Sequence, residues 1–150
     1  MRTIIVLFLT TLLCSSAALA ATLFAGYAGT PWGADIHKVM KEFPKGEMGT
    51  MGEMVVYRQL TPNKQIRQRM FGFENNKLKA VSVSFDGNYV KKTGIEKLLA
   101  EHRKAYGEGT MDNSKAPHMV SCVWENDTTR IAFTYAPKRP DMSVVNYTRK

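Results

Sequence analysis

An α+β fold is predicted by three observations: two short helix-period patterns, several runs of alternating apolar and polar residues after each, and good turn chemistry between those runs. The expected architecture is two αβββ units forming one antiparallel sheet, with two helices packed on one of its faces.

The first twenty residues have the three-part build of a secretory signal. Arg2 supplies the positive start, Ile4 to Cys14 the apolar run, and Ala18-Leu19-Ala20 a small-residue cleavage site. The run ends at Ser15 and Ser16, short of the ~20 apolar residues that a membrane-crossing helix needs. Leu13 before Cys14 does not suit a lipoprotein signal. The expected organisation is therefore a signal peptide over 1–20 and a single α+β domain over 21–150, periplasmic or secreted and without a transmembrane segment. Removing Arg2 takes Lys and Arg from 21 to 20 against 13 acidic residues, so the exported domain is basic and suited to anionic partners. Cys14 leaves with the signal and Cys122 stands alone, which excludes an intramolecular disulfide.

Helix 1 is expected over Ala34 to Phe43, where Ile36, Val39, Met40 and Phe43 follow helical spacing until Pro44 stops it. Gly46, Gly49 and Gly52 then read as a flexible connector. Strands are expected near 54–60, 65–73 and 77–85, parted by Thr61-Pro62-Asn63-Lys64 and by Asn75-Asn76. Thr93-Gly94-Ile95-Glu96 reads as a capping box, and Ile95, Leu98, Leu99, His102 and Tyr106 continue the stripe of helix 2 to Gly107. Strands at 118–125, 129–136 and 143–148 repeat the order. The strand offsets between halves are roughly 64–66 residues and the helix offset about 59, the basis for reading one unit written twice.

A two-residue turn at Asn75-Asn76 pairs Phe73 with Leu78, Phe71 with Ala80, Arg69 with Ser82 and Arg67 with Ser84. The preceding hairpin sets Arg58 opposite Arg67. By strict alternation Val55, Tyr57, Ile66, Met70, Val81, Val83 and Phe85 form a core face, and Arg58, Arg67, Arg69, Phe71 and Phe73 share the face away from the helices with Ser82 and Ser84. In the second half, a turn at Asp127-Thr128 pairs Glu125 with Arg130, Trp124 with Ile131 and Cys122 with Phe133. That register puts Cys122 on a core face with Val120, Trp124, Ile131, Phe133 and Tyr135. It reads as a buried thiol, the alternative being a reactive one.

Catalytic patterns are missing. His37, His102 and His118 are scattered, with no metal-ligand spacing, no Cys-x-x-Cys and no phosphate-binding glycine loop, so neither a metal nor a cofactor is expected. His102 reads as packed in the core, Asp35 as the solvated first turn of helix 1, and Trp32 as an indole over the end of the core or, alternatively, a ligand-stacking surface. The arginines stand out because directly opposed like charges destabilise a strand pair unless an anion offsets them. Arg58, Arg67, Arg69, Phe71 and Phe73 are thus the candidate binding residues, for an acidic protein or an anionic envelope polymer, while export argues against nucleic acid. Solvated arginine stems are the plainer alternative.

The element order, with Gly29-Thr30 leading into a helix containing Val39 and a hairpin strand ending in Trp124, resembles the exported αβββ-repeat domains of the beta-lactamase inhibitor protein and small outer-membrane-assembly lipoprotein type. In inhibitor-type members a sheet face binds protein, and the resemblance implies such a role here. The expected function is an exported, non-catalytic interaction protein of the cell envelope that contacts an acidic partner through a basic sheet face. The alternative is a small periplasmic hydrolase or transferase whose site assembles only in three dimensions.

Overall fold

The computed structural model describes residues 24–150; the expected signal segment over 1–20, its expected cleavage site and Cys14 lie outside them. The first elements among the described residues are a small ribbon, β1 (Gly26–Tyr27) and β2 (Thr30–Pro31), around Ala28-Gly29. Both turn residues have positive φ, 48° and 86°, the turn whose twist suits a two-residue hairpin. Helix α1 (Ile36–Glu42) follows, N-capped by Asp35, whose carboxylate accepts from the His37 N–H at 2.9 Å.

The glycine-spaced segment is a strand and not a connector. β3 (Glu47–Met51) pairs with β4 (Met54–Asn63), Gly49 lying opposite Val56. Every residue of β3 is exposed, so no alternation of burial marks it in the sequence. β5 (Ile66–Glu74) and β6 (Lys77–Phe85) meet at Asn75-Asn76, both at positive φ, as expected of asparagines in a tight hairpin.

Two helices then replace the single one expected. α2 (Gly87–Thr93) is capped by the Asp86 carboxylate, which accepts from the Asn88 and Tyr89 amides, and Thr93 is its last residue. α3 (Ile95–Tyr106) starts from Gly94 with no side-chain cap, so the expected capping box does not form. The second set of strands is β7 (Thr110–Asp112), β8 (Val120–Glu125), β9 (Thr129–Ala136) and β10 (Arg139–Arg149).

All eight strands from β3 onward form one antiparallel sheet in the order β3-β4-β5-β6-β10-β9-β8-β7, giving a mixed α+β fold. The core lies between one face of this sheet and the helices. Phe43, at the end of α1, packs at a tilt against Phe71 with ring centroids 4.7 Å apart. Val90 of α2 and Leu98 of α3 are buried in the same cluster, and His102 stacks on Phe133 at 5.1 Å.

The second-half register is the expected one, with Cys122 opposite Phe133, Trp124 opposite Ile131 and Glu125 opposite Arg130. The first-half register is not. Phe73 pairs with Leu78, but the register then shifts so that Gly72 faces Ala80, Phe71 faces Val81 and Arg69 faces Val83. Lys79 is the extra residue of a β-bulge, and one extra residue turns the alternation over. Leu78 and Val81 both point to the core, and Phe71, Phe73 and Arg69 point there with them. Met70 goes to the other face. The β4–β5 hairpin also turns later than expected: Asn63 pairs with Ile66, and its side chain accepts from the Gln65 and Ile66 amides. Arg58 consequently faces Met70, not Arg67.

Candidate functional site

The five candidate residues do not form one patch. Arg58 lies on the helix-free face and sits 3.7 Å from Glu47 on the neighbouring strand. Arg67 is exposed between two register shifts, outside the regular ladder. Arg69 is half-buried on the helix side. Phe71 and Phe73 are 0% and 2% exposed and belong to the core, so neither offers a binding surface. The bulge at Lys79 and the late turn at Lys64-Gln65 are the physical reasons.

What the register places on the helix-free face is different in kind. One cross-strand row runs Arg58, Met70, Ser82, Asn146, Ala132 and Val123. The next runs Val56, Gly72, Ala80, Thr148 and Arg130. The floor is small, and Val56 is only 6% exposed because its neighbours crowd over it. Met51, Met54 and Met70 border a groove of about 210 Å³ above Gly72 and Ala80. A Cβ at Gly72 would lie 2.4 Å from the Met54 sulfur, so the thioether occupies the space that a side chain would fill. The charges on this face largely pair off, Arg58 with Glu47 at 3.7 Å and Lys150 with Glu125 at 3.2 Å. Glu125 thus meets Lys150 and not Arg130 as its ion-pair partner. The face is amphipathic, not strongly basic. Further exposed cations lie on the helices, at Lys38, Lys41, Lys91, Lys92, Lys97 and Lys104.

Sequence reasoning passed over the methionines. Their signal was density: of nine in the chain, four lie at 48, 51, 54 and 70. The bulge was needed to show that Met70 joins Met54 on one face.

Arg69 packs against two adjoining aromatic rings. Its guanidinium carbon lies 5.6 Å from the Tyr27 ring centre and 5.1 Å from that of Phe43. Its Nη1 donates to Gln59 Oε1 at 3.1 Å, and the Gln59 amide nitrogen donates to the Pro44 carbonyl at 2.6 Å. Burial raises the pKa of the Tyr27 hydroxyl, and the Arg69 charge partly opposes that rise. Burial also holds Tyr147 well above its ordinary value, with Tyr106 adding to the effect.

The remaining singled-out residues have structural surroundings. Trp32 Nε1 donates to Thr129 Oγ1 at 2.6 Å, over the end of the core. His102 Nδ1 meets the Leu98 carbonyl at 2.7 Å, and its ring lies between aromatic neighbours. His37 and His118 are exposed. Asp35 lies 3.7 Å from Lys77, and its pKa is lowered chiefly by the His37 amide. Among the described residues no group of three His, Cys, Asp or Glu side chains is placed to hold a metal ion.

Cys122 is 0% exposed, and burial pushes its thiol pKa up. The native protein is expected to resist a thiol reagent at neutral pH and to react fully in denaturant, because both the thiolate and its access are suppressed. Mass spectrometry of timed labelling measures this, and rapid modification of the folded protein would contradict the β8 register.

No family model and no curated protein matches the chain. Among solved structures, the crystal structure of a DUF4309 family protein from Bacillus subtilis is similar over 76% of this chain and 77% of that one, at 14% identity and a TM-score of 0.44.

Proposed function

We propose that this protein is an exported, non-catalytic interaction protein of the cell envelope that docks an acidic protein partner on its helix-free sheet face. The observation that carries the reading is the floor of that face. Gly72 and Ala80 floor a small apolar groove bordered by Met51, Met54 and Met70, whose flexible thioether chains adapt to a partner. Arg58 and Arg130 supply charged contacts beside it. The excess of basic residues elsewhere steers an acidic partner toward the molecule at long range. The proposal includes removal of residues 1–20 on export.

The reading of the chain as one helix-plus-meander unit written twice belongs to the same proposal, together with its resemblance to inhibitor-protein-type domains. It is supported by the strand order, which runs symmetrically outward from the β6–β10 seam.

The test is capture from an envelope extract followed by identification of cross-linked proteins. Arg58→Glu and Met70→Glu are each expected to weaken capture about tenfold or more, as central contacts do. Ala100→Gln, on the exposed side of α3, should leave it unchanged, and added salt should slow association. Equal capture by all three variants would remove the sheet face from consideration.

A further inference from the structure

We propose that the cleft beside Arg69, on the helix side of the sheet, binds a carboxylate carried on a small apolar or aromatic body. The proposal is independent of the sheet-face reading, because Arg69 points to the opposite side of the sheet.

Arg58, Arg103 and Arg139 each lie within 4 Å of a carboxylate, at 3.7, 3.8 and 2.9 Å. Half-buried Arg69 has no carboxylate partner among the described residues, and residues 1–23 contain no Asp or Glu that could supply one. Its Nε–H is buried without an acceptor. A guanidinium drawn out of water without a counter-ion is costly, and the cost falls when an anion completes the site.

The second part is preorganisation. The adjoining Tyr27 and Phe43 rings pack against the guanidinium from one side, and Gln59, itself 6% exposed and fixed by the Pro44 carbonyl, accepts one of its N–H groups. A planar fork held in this way suits an oxyanion, and the apolar wall of the cleft favours a carboxylate on an apolar body over inorganic phosphate.

The third part is the space in front of it. Arg69 and Gln59 line a cleft of about 420 Å³, at the small end of the range of ligand sites. Phe43, Leu60 and Pro62 give it an apolar wall, and Lys45 provides a second cation. Glu42 also lines the cleft, but its carboxylate is engaged by the Thr30 hydroxyl and lies 3.8 Å from Lys38. Both walls turn on non-glycine residues at positive φ, Lys45 at 65° and Thr61 at 44°, and the latter is strained for a β-branched residue.

The experiment titrates the full chain with benzoate, with uncharged benzamide and with inorganic phosphate, following arginine side-chain and backbone amide NMR shifts. Benzoate is expected to give saturable shifts centred on Arg69, Gln59 and Lys45, and benzamide none. Arg69→Gln should weaken benzoate binding about tenfold or more, the scale for losing a charged hydrogen-bonding group. Lys45→Gln should weaken it less, and Arg67→Gln, in the exposed bulge, not at all. If Arg69→Gln does not fold, the benzoate and benzamide comparison with the Lys45 variant decides the matter. Equal binding of benzamide, equal binding of phosphate, or full binding by a folded Arg69→Gln would each overturn the proposal.

Discussion

Replacing Phe71 by alanine is expected to lower the free energy of unfolding by about 3–5 kcal/mol, the usual cost of deleting a buried phenyl ring. Phe71 is 0% exposed and its ring meets Phe43 at 4.7 Å and both Tyr27 and Tyr57 at 6.1 Å, so the cavity would open where α1 meets the sheet. Nothing on the opposite wall is free to fill it, because β4 and β6 hold the backbone on both sides. Against a total of about 5–15 kcal/mol for a domain, such a loss leaves little stability. Arg58→Ala provides the contrast. Its side chain is 47% exposed and its ion pair lies at the surface, so a loss within about 0.5 kcal/mol is expected. Unbroken alternation would put Arg58 and Phe71 on one solvated face. Urea unfolding of the two variants measures the difference, and equally small losses would restore the unbulged register.

A second large effect is expected from Gly109→Ala, at about 2–4 kcal/mol for a strained backbone combined with an overpacked contact. Gly109 has a φ of 71°, and a Cβ there would lie 2.6 Å from Trp124 Nε1 and 2.8 Å from Cys122 Sγ. The indole cannot yield cheaply, since its N–H donates to the Gly107 carbonyl at 2.7 Å. Displacing it would uncover Cys122, so thiol labelling of the native variant should accelerate as its stability falls. Gly29→Ala separates the two causes. Gly29 also has positive φ, 86°, but nothing lies within 4 Å of its Cβ position, and only the backbone cost of about 1 kcal/mol should appear. Thermal unfolding of both proteins gives the comparison. If Gly109→Ala is no worse than Gly29→Ala, the packing of the Gly107 to Gly109 corner over Trp124 is wrong.

These two residues also mark where sequence reasoning reached and where it stopped. Around Cys122 the reading from Asp127-Thr128 was sufficient, because the β8–β9 ladder runs from its turn to Val120 without a register shift. The same logic at Asn75-Asn76 found the turn and the Phe73–Leu78 pair, then failed one residue later at the bulge. The candidate site inherited that failure. Two turns and strict alternation group Arg58, Arg67 and Arg69, and that alternation does not survive an inserted residue.

The sequence by itself determined the mixed α+β character, the position of α1, both tight hairpin turns of the registers above and the burial of Cys122. Each of these follows from interactions between near neighbours: helical spacing, turn-prone asparagines, and an unbroken ladder on either side of a turn. Only the tertiary structure decided that β3 pairs as an edge strand, that a separate helix precedes α3, and that Lys79 is bulged. β3 buries none of its side chains, and α2 buries only Val90, so neither leaves a periodic trace. The bulge was decided by packing on both faces at once. Leu78, Val81, Phe71 and Phe73 all gain burial under the helices, while Met54 and Met70 take the space above Gly72. That balance involves side chains distant in sequence, and it is what placed Arg69 beside the Tyr27 and Phe43 rings and the methionines on the open face.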